Sequence, residues 1–515
     1  MGILKTVRVL QLGAEDFSKS IQVSDAAEWH YEPDFSELPE KDFDVAVLDR
    51  EVAEEEFAYL IRFLRAYCLF VMEAVPLTKG KLTHQLFVRK MGRRLSAEKL
   101  EVFLKEDLPD YFSGSYGEKY RPQELAIAQG FKGKVAWRGF EGVDLEGDYG
   151  NELTQIVFWR YNVPITGRQT LEFWLEYEKD DTVEISLEIV TVRFGYGTDP
   201  DLQDVRMFSE KELDSIIYVE NRSDRGGYLF TSLRAKGHGC LRITALHDRH
   251  SRKGKGIFMP GGKRAVTSER EEIFYYFDPG NLRPPLNVYF SGYKTQEGFE
   301  GYYMMRGMEH PFLLIAEARL EGGGFYLGSG EYENAIEHII RKHMKMLKFQ
   351  DSQVILSGLS MGTFGALYYG CRIRPNTILL GKLLASIGDV AGNERIQRPG
   401  GFPTSLDVLH KTCGSLSGEA IDRLNARFWD AFDHTDWSGT RFAVAYMVED
   451  DYDSTAYEQL QSHLKDAGAR IYGKGLHGRH NDNTSGIVGW FQNQYREIIK
   501  NDFDRIRRKT GGQKQ

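Results

Sequence analysis

The hydrophobic period of the chain changes twice along its 515 residues. Short apolar runs alternate with helix-compatible stretches up to about residue 120, and a two-residue alternation of apolar and polar side chains follows from about 125 to 265. From about 270 the first pattern returns and continues to the end. Because each period requires a different arrangement of layers, one uniform fold is excluded. We predict three domains, over residues 1–120, 121–268 and 269–515.

The first segment is predicted to be a small α/β domain with a structural or interaction role. Strand-like runs at 6–12, 43–49 and 67–74 are separated by helix-compatible stretches such as EVAEEEFAYLIRFLRA. Gly13 follows the first run alone, without the GxGxxG or GxxxxGK[ST] patterns that bind nucleotide phosphates.

The middle segment is predicted to be a β-sandwich. Its alternating runs include TQIVFWRYNV, QTLEFWLEYE, DTVEISLEIVTVRF, GYLFTSLRA and GCLRITALH. Aromatic side chains at alternate strand positions usually belong to a core, and a platform that stacks on sugars is the alternative. These aromatic residues are Trp137, Phe158, Trp159, Tyr161, Phe173, Trp174 and Tyr177.

Charge and cysteine content exclude several classes of protein. The 66 basic and 75 acidic side chains give a net charge of −9, which argues against a protein that coats nucleic acid. The four cysteines are too scattered for a zinc site, and we predict no metal. No apolar stretch has the length of a membrane span, so a cytoplasmic protein is expected. We interpret the basic clusters at 89–99 and 247–255 as solvated faces.

The most informative motif is Gly358-Leu359-Ser360-Met361-Gly362, which follows an apolar strand and precedes a helix-compatible stretch. A nucleophile elbow needs this context, because small flanking residues let the strand and helix pass closely at the turn. The final segment is therefore predicted to be an α/β-hydrolase domain with Ser360 as its nucleophile.

A serine nucleophile needs a histidine base and an acid that orients the base. The hydrolase order of serine, acid and histidine is present, with an acidic run at 449–451 after one predicted strand and His480 before the last helix. His480 is favoured over His477 because it lies nearer the helix start. Asp450 and Asp451 both remain candidates for the acid, and Asp453 is expected to cap the following helix.

The oxyanion hole should use two backbone N–H groups. One belongs to Met361, which follows the nucleophile, and the other comes from the loop after the strand LNVYF, where Gly292 and Tyr293 are the candidates. An insertion near 385–440 is expected to form a cap, whose aromatic side chains either line the pocket or pack on the sheet.

The whole chain resembles a family of accessory secretory proteins, the second such protein of the accessory Sec system of Gram-positive bacteria. The segments that carry the resemblance are ILSGLSMGTFGALYYG, AYMVEDDYDSTAYEQL and GLHGRHNDNTSGIVGWF. The resemblance implies that Ser360 is the nucleophile, His480 the base and the acid a member of the run at 449–451.

The resemblance also implies a dual function in the cytoplasm. Family members assist the export of serine-rich repeat glycoprotein adhesins and O-acetylate N-acetylglucosamine on them. The implied partners are two other accessory secretory proteins, the accessory Sec motor ATPase and the adhesin, with peripheral membrane contact through the complex. No tightly bound cofactor is expected, and the acyl donor is left open.

Two other functions are consistent with the sequence. A Ser-His-acid site also serves a carbohydrate esterase, because water or a sugar hydroxyl can resolve the acyl-enzyme. A non-enzymatic export scaffold with a vestigial triad is the second alternative.

Overall fold

The computed structural model describes residues 6–33, 42–193 and 201–504, apart from the side chains of 201–203. The sequence also predicts that the basic carboxyl-terminal stretch at 505–515 frays, and this stretch lies outside the described residues. The described chain forms three β-sheets with helices packed around the first and the third. It therefore has the mixed α/β architecture that the sequence predicts.

The first sheet has five parallel strands in the order β2-β1-β3-β4-β5. The strands are β1 (Val7–Leu12), β2 (Ala27–Glu32), β3 (Val45–Leu48), β4 (Leu69–Met72) and β5 (Arg93–Leu95). The helices are α1 (Glu54–Phe63), α2 (Leu82–Arg89) and α3 (Ala97–Val102). The three predicted strands are confirmed. The sequence AEWHYE of β2 was missed because it lacks a run of apolar residues.

The second sheet has ten strands, and all of its pairings are antiparallel. The first five are β6 (Gly117–Tyr120), β7 (Leu125–Ile127), β8 (Lys134–Arg138), β9 (Gly142–Trp159) and β10 (Val163–Ile165). The others are β11 (Thr170–Lys179), β12 (Val183–Arg193), β13 (Asp201–Ser209), β14 (Ile217–Glu220) and β15 (Gly227–His250), with a short helix α4 (Glu210–Leu213).

β15 links all of these strands in one hydrogen-bonded sheet, and the β-sandwich stays a prediction. This strand is 24 residues long and pairs with β12 along its first half and with β11 along its second half. β9 runs along much of its other edge, with register shifts around Gly237. Gly237 and Gly239 have φ values of +94° and +135°, which let the strand bend without ending.

The aromatic side chains of this sheet divide between core and surface. Those in the core are Trp159, Phe173, Trp174 and Tyr177. Those exposed are Trp137, Phe158 and Tyr161. The prediction of a core role therefore holds for the first group and fails for the second.

The third sheet has eight strands in the order β16-β17-β19-β18-β20-β21-β22-β23. The first four are β16 (Lys263–Val266), β17 (Glu272–Asp278), β18 (Leu286–Phe290) and β19 (Phe312–Glu317). The last four are β20 (Val354–Leu359), β21 (Thr377–Gly381), β22 (Arg441–Met447) and β23 (Arg470–Leu476). The strands from β19 to β23 in this order are parallel, and β17 is antiparallel to its neighbours.

Helices of the third segment follow the predicted alternation with strands. They are α5 (Tyr302–Arg306), α6 (Gly330–Leu347), α7 (Met361–Ile373), α8 (Ile387–Ile396), α9 (Thr404–Cys413), α10 (Gly418–Asp433), α11 (Ala456–Leu464) and α12 (Thr484–Ile498). Three of them, α8 to α10, occupy the segment between β21 and β22 where a cap was expected. Within the described part of the chain, no helix has both the length and the apolar character needed to cross a bilayer.

The interpretation of the basic clusters as solvated faces is wrong for Lys90 and Arg252, because both side chains are buried. Lys90 is 6% exposed and donates to the carbonyl of Leu64, and Arg252 is fully buried. The Arg252 guanidinium donates to the carbonyl oxygens of Asp110, Phe112, Ser113 and Phe258. Since three of these acceptors are backbone groups 139–142 residues away from Arg252 in sequence, charge patterning could not reveal them.

A buried ionic network joins the second and third sheets. His247 and Arg249 on β15 both contact the carboxylate of Glu297, which lies in the loop after β18, and Arg249 also pairs with Glu272 on β17. Burial opposes the charge of Glu297, but Arg249 and His247 hold the pKa of its carboxyl at about 2. Burial likewise opposes the charge of His247, whose pKa Glu297 and Glu176 raise to about 9.

We expect Glu297→Ala to lower the free energy of unfolding by about 3–5 kcal/mol, because it leaves two buried cations without their shared partner. Urea unfolding followed by tryptophan fluorescence measures the change. The matched control is Asp224→Ala, which breaks the exposed pair with Arg168 and should leave the transition where it is. Equal effects of the two variants would show that the network contributes no more than a surface pair.

Candidate active site

The motif around Ser360 forms the sharp turn between β20 and α7. Ser360 has φ +53° and ψ −121°, a strained conformation at the helix N-cap. A Cβ at Gly358 would lie 2.2 Å from the backbone carbon of Gly362, and one at Gly362 would lie 2.1 Å from the carbonyl oxygen of Phe290. The two glycines are therefore required for strand, turn and helix to approach this closely.

The structure brings Ser360, His480 and Asp450 together in one hydrogen-bonded line. The Ser360 Oγ lies 2.8 Å from His480 Nε2, and His480 Nδ1 lies 2.8 Å from Asp450 Oδ2. An ionised carboxylate only accepts hydrogen bonds, so Nδ1 carries the proton and Nε2 accepts from the serine hydroxyl. This arrangement is the one that prepares a serine for attack on an acyl carbon.

The two candidate acids have different partners. Asp450 is 6% exposed, and its Oδ1 accepts from the N–H of Tyr452 at 2.8 Å, which fixes the carboxylate that faces the imidazole. Asp451 instead accepts the backbone N–H of His480 at 3.0 Å and lies 3.4 Å from Arg398 Nε. Asp450 therefore contacts the imidazole ring of His480, whereas Asp451 contacts the backbone of His480.

Two other acidic residues near the site, Glu449 and Asp453, accept hydrogen bonds from backbone N–H groups of neighbouring loops. His477 is exposed, and Glu449 lies 2.9 Å from its ring and accepts the N–H of Gly478. The expectation that Asp453 caps α11 is wrong, because Thr455 is the N-cap residue. The Asp453 side chain instead accepts the backbone N–H groups of Ala385 and Ser386, and burial raises its pKa to about 7.

The candidate oxyanion donors lie beside the serine. Met361 is the first residue of α7, so its N–H has no acceptor inside the helix. Gly292 and Tyr293 follow β18 and line the same cavity as Ser360. The N–H of Gly292, however, donates to the Glu300 carboxylate at 2.7 Å, a contact that the sequence did not reveal.

A cavity of about 560 Å³ opens over Ser360 and His480. Its apolar wall includes Tyr293, Phe402 and Tyr452, with Phe402 ring-to-ring against both tyrosines. Its polar residues include Glu300, Glu321, Lys382 and Asn481. A mixed aromatic and polar lining of this kind suits a ligand with a flat face and several hydroxyl groups.

The segment predicted as a cap contributes to this cavity through one loop. Gly400, Gly401, Phe402 and Pro403 line it, whereas Trp429, Phe432 and Trp437 pack in the hydrophobic core of the third segment. Of the two expectations for the cap aromatics, packing therefore holds for these three and pocket lining for Phe402.

One group of side chains in the described residues brings possible metal ligands within 4.8 Å, namely Glu176, His247 and Glu272. Arg249 and Arg264 already pair with Glu272, and Glu297 pairs with His247. Because these cations satisfy the carboxylates and would repel a metal, we interpret the group as part of the ionic network between the sheets.

The mostly parallel eight-stranded sheet, the elbow after β20 and the order Ser360, Asp450, His480 define a chain of the α/β-hydrolase type. The family model described as Accessory Sec system GspB-transporter matches residues 7–505. The chain belongs to this family.

Relatives support the same assignment along the length of the chain. An accessory Sec system protein of Streptococcus gordonii is 39% identical over 511 residues, which cover 97% of this chain and 99% of the relative. One from Staphylococcus aureus is 41% identical over 395 residues, or 77% of this chain and 75% of the relative. A chain in the solved Glycosylation Associate Protein (Gap123) complex of Streptococcus agalactiae is 34% identical, with a TM-score of 0.84 and coverage of 97% and 99%.

Proposed function

We propose that this chain is a serine acyltransferase of the accessory Sec system, which O-acetylates N-acetylglucosamine on a serine-rich repeat glycoprotein adhesin and assists the export of that adhesin. The observation that carries the enzymatic part is the line of hydrogen bonds through Ser360, His480 and Asp450. Family membership carries the export part.

The reaction takes two steps at one serine. Ser360 Oγ attacks the carbonyl carbon of the acyl donor as His480 Nε2 takes its proton, and the leaving group then accepts that proton. A sugar hydroxyl next attacks the carbonyl carbon of the acetyl-serine ester as His480 Nε2 takes its proton. The bond between that carbon and Ser360 Oγ then breaks, His480 returns the proton to Oγ, and the O-acetyl sugar leaves. N–H groups beside the serine stabilise the oxyanion of each step.

The cavity supports a sugar as the acceptor. Tyr452 stands edge-on to the His480 ring, with ring centroids 4.3 Å apart, so an acceptor packed on this tyrosine would lie beside the base. Lys382 and Asn481 supply hydrogen-bond donors at the same opening. Burial lowers the pKa of Lys382, whose Nζ donates to Thr484 Oγ1 at 2.8 Å.

The proposed setting of the activity is a cytoplasmic complex. The Streptococcus agalactiae relative is a chain of the Gap123 complex. By analogy, we propose that this chain assembles with two other accessory secretory proteins, receives the glycosylated adhesin and passes it to the accessory Sec motor ATPase.

A partition experiment tests transfer against simple esterase activity. The purified chain is incubated with p-nitrophenyl acetate and N-acetylglucosamine oligosaccharide, and acetylated sugar and free acetate are measured by mass spectrometry and an acetate assay. We expect O-acetyl sugar to exceed the background of the Ser360→Ala variant and to rise with acceptor concentration, because acceptor and water compete for one acyl-enzyme. Release of acetate alone, at every acceptor concentration, would instead favour an esterase over a transferase.

A further inference from the structure

We propose that Glu300 suppresses the reaction with simple esters by occupying the oxyanion donor Gly292 N–H. Only a substrate rich in hydrogen-bond donors draws the Glu300 carboxylate away from this N–H. This inference rests on the proposed function. It makes Glu300 a specificity-determining residue, because simple esters offer no donor to its carboxylate.

The first support is the position of Gly292. It lies in the loop after β18, the third strand of its sheet along the chain, where α/β hydrolases carry the second oxyanion donor. A Cβ at Gly292 would lie 3.2 Å from the carbonyl oxygen of Leu359, the residue before Ser360. The Gly292 backbone is therefore packed against the elbow, within the cavity that holds the nucleophile.

The second support is the contact itself. Gly292 N–H donates to Glu300 Oε2 at 2.7 Å, the length of a charge-assisted hydrogen bond. An acyl oxyanion at this donor would share one N–H with a carboxylate that is already negative. Like charges at such separation repel, so the barrier to acyl transfer rises while Glu300 stays in place.

The third support is the availability of another partner. Glu300 is half-buried and lines the cavity, and Lys294, which lies on the same loop, interacts with it electrostatically. A ligand that brings hydroxyl and amide N–H groups to this part of the cavity can donate to the Glu300 carboxylate in place of the Gly292 N–H. An N-acetylated sugar carries both kinds of donor, whereas p-nitrophenyl acetate carries neither.

The experiment compares hydrolysis of p-nitrophenyl acetate by the full chain and by Glu300→Ala and Glu300→Gln. Loss of one oxyanion donor costs about 10²–10³ in rate, so we expect Glu300→Ala to raise kcat/KM at least about tenfold. Glu300→Gln, which keeps the shape and removes the charge, should give a smaller gain. The matched control is Gln296→Ala on the same loop, whose side chain points to Glu118 and whose removal should leave the rate unchanged.

The outcomes separate this inference from the proposed function. Ester hydrolysis that disappears in Ser360→Ala, together with no gain in either Glu300 variant, overturns the role of Glu300 alone. Hydrolysis that is the same in wild type and Ser360→Ala, with no labelling of Ser360 by a fluorophosphonate, overturns both. If Glu300→Ala fails to fold, as judged by circular dichroism, the rate of Glu300→Gln decides the question.

Discussion

Cells that carry Ser360→Ala should export an adhesin whose N-acetylglucosamine lacks O-acetyl groups. The variant removes the only atom of Ser360 that can form the acyl-enzyme, and loss of the nucleophile from a triad costs on the order of 10⁴-fold or more in rate. The alanine keeps the Cβ and adds none of the clashes that side chains at Gly358 or Gly362 would cause, so the elbow should fold. Export should continue, because the substitution removes a single hydroxyl group. The first segment, for which we predict a structural or interaction role, is remote in sequence from the triad.

Mass spectrometry of the adhesin glycan, with immunoblots of secreted adhesin, measures both effects in the same cells. Ser438→Ala, at an exposed position outside the cavity, is the control for a serine replaced elsewhere in this segment. Unchanged acetylation in Ser360→Ala would leave the non-enzymatic scaffold with a vestigial triad as the better account. Loss of export together with acetylation would mean that the two functions are coupled.

The order of the site residues was accessible to sequence reasoning, but the choice of acid was not. Asp450 and Asp451 are adjacent in one turn, so composition and spacing treat them alike. Their roles separate only because the N–H of Tyr452 fixes the Asp450 carboxylate toward the imidazole, whereas Asp451 meets the His480 backbone. The contact between Glu300 and Gly292 was hidden in a similar way, since a loop conformation creates it.

In the middle segment the strands were predictable and their connection was not. The period-two pattern located the runs GYLFTSLRA and GCLRITALH, which were interpreted as separate strands because glycines stand between them. In the structure they are one strand, β15, since Gly237 and Gly239 bend the backbone and leave it paired on both sides. Local pattern therefore predicts extended backbone, whereas pairing depends on partners far away in sequence.

The burial of charged side chains was likewise not predictable from the sequence. Arg249 and Arg252 belong to a run that is strongly basic in sequence, and such runs are usually solvated. Their partners include Glu272, Glu297 and the backbone carbonyls of residues 110, 112 and 113, which the fold brings in from elsewhere in the chain. Since a single sequence contains no information on which distant groups meet, the burial of this run could only be found in the structure.

Asp450→Asn should reduce acyl transfer by about 10⁴-fold, whereas Asp451→Asn should reduce it by less than about tenfold. The Asp450 carboxylate accepts from His480 Nδ1 and so keeps Nε2 free to take the serine proton. An asparagine amide N–H at that position would donate to Nδ1, move the ring proton to Nε2 and leave the histidine unable to act as a base. In Asp451→Asn the amide oxygen still accepts the His480 N–H, and only the contact with Arg398 weakens.

The two variants form a matched pair, because each replaces one carboxylate of the same turn with the amide of the same shape. Steady-state rates of acetyl transfer and of p-nitrophenyl acetate hydrolysis, measured for both with thermal unfolding as the check on folding, give the comparison. A larger loss in Asp451→Asn than in Asp450→Asn would contradict the assignment of Asp450 to the imidazole. Equal small losses would mean that orientation of His480 depends on packing against Tyr452 more than on either carboxylate, since that ring is its nearest aromatic contact in the described chain.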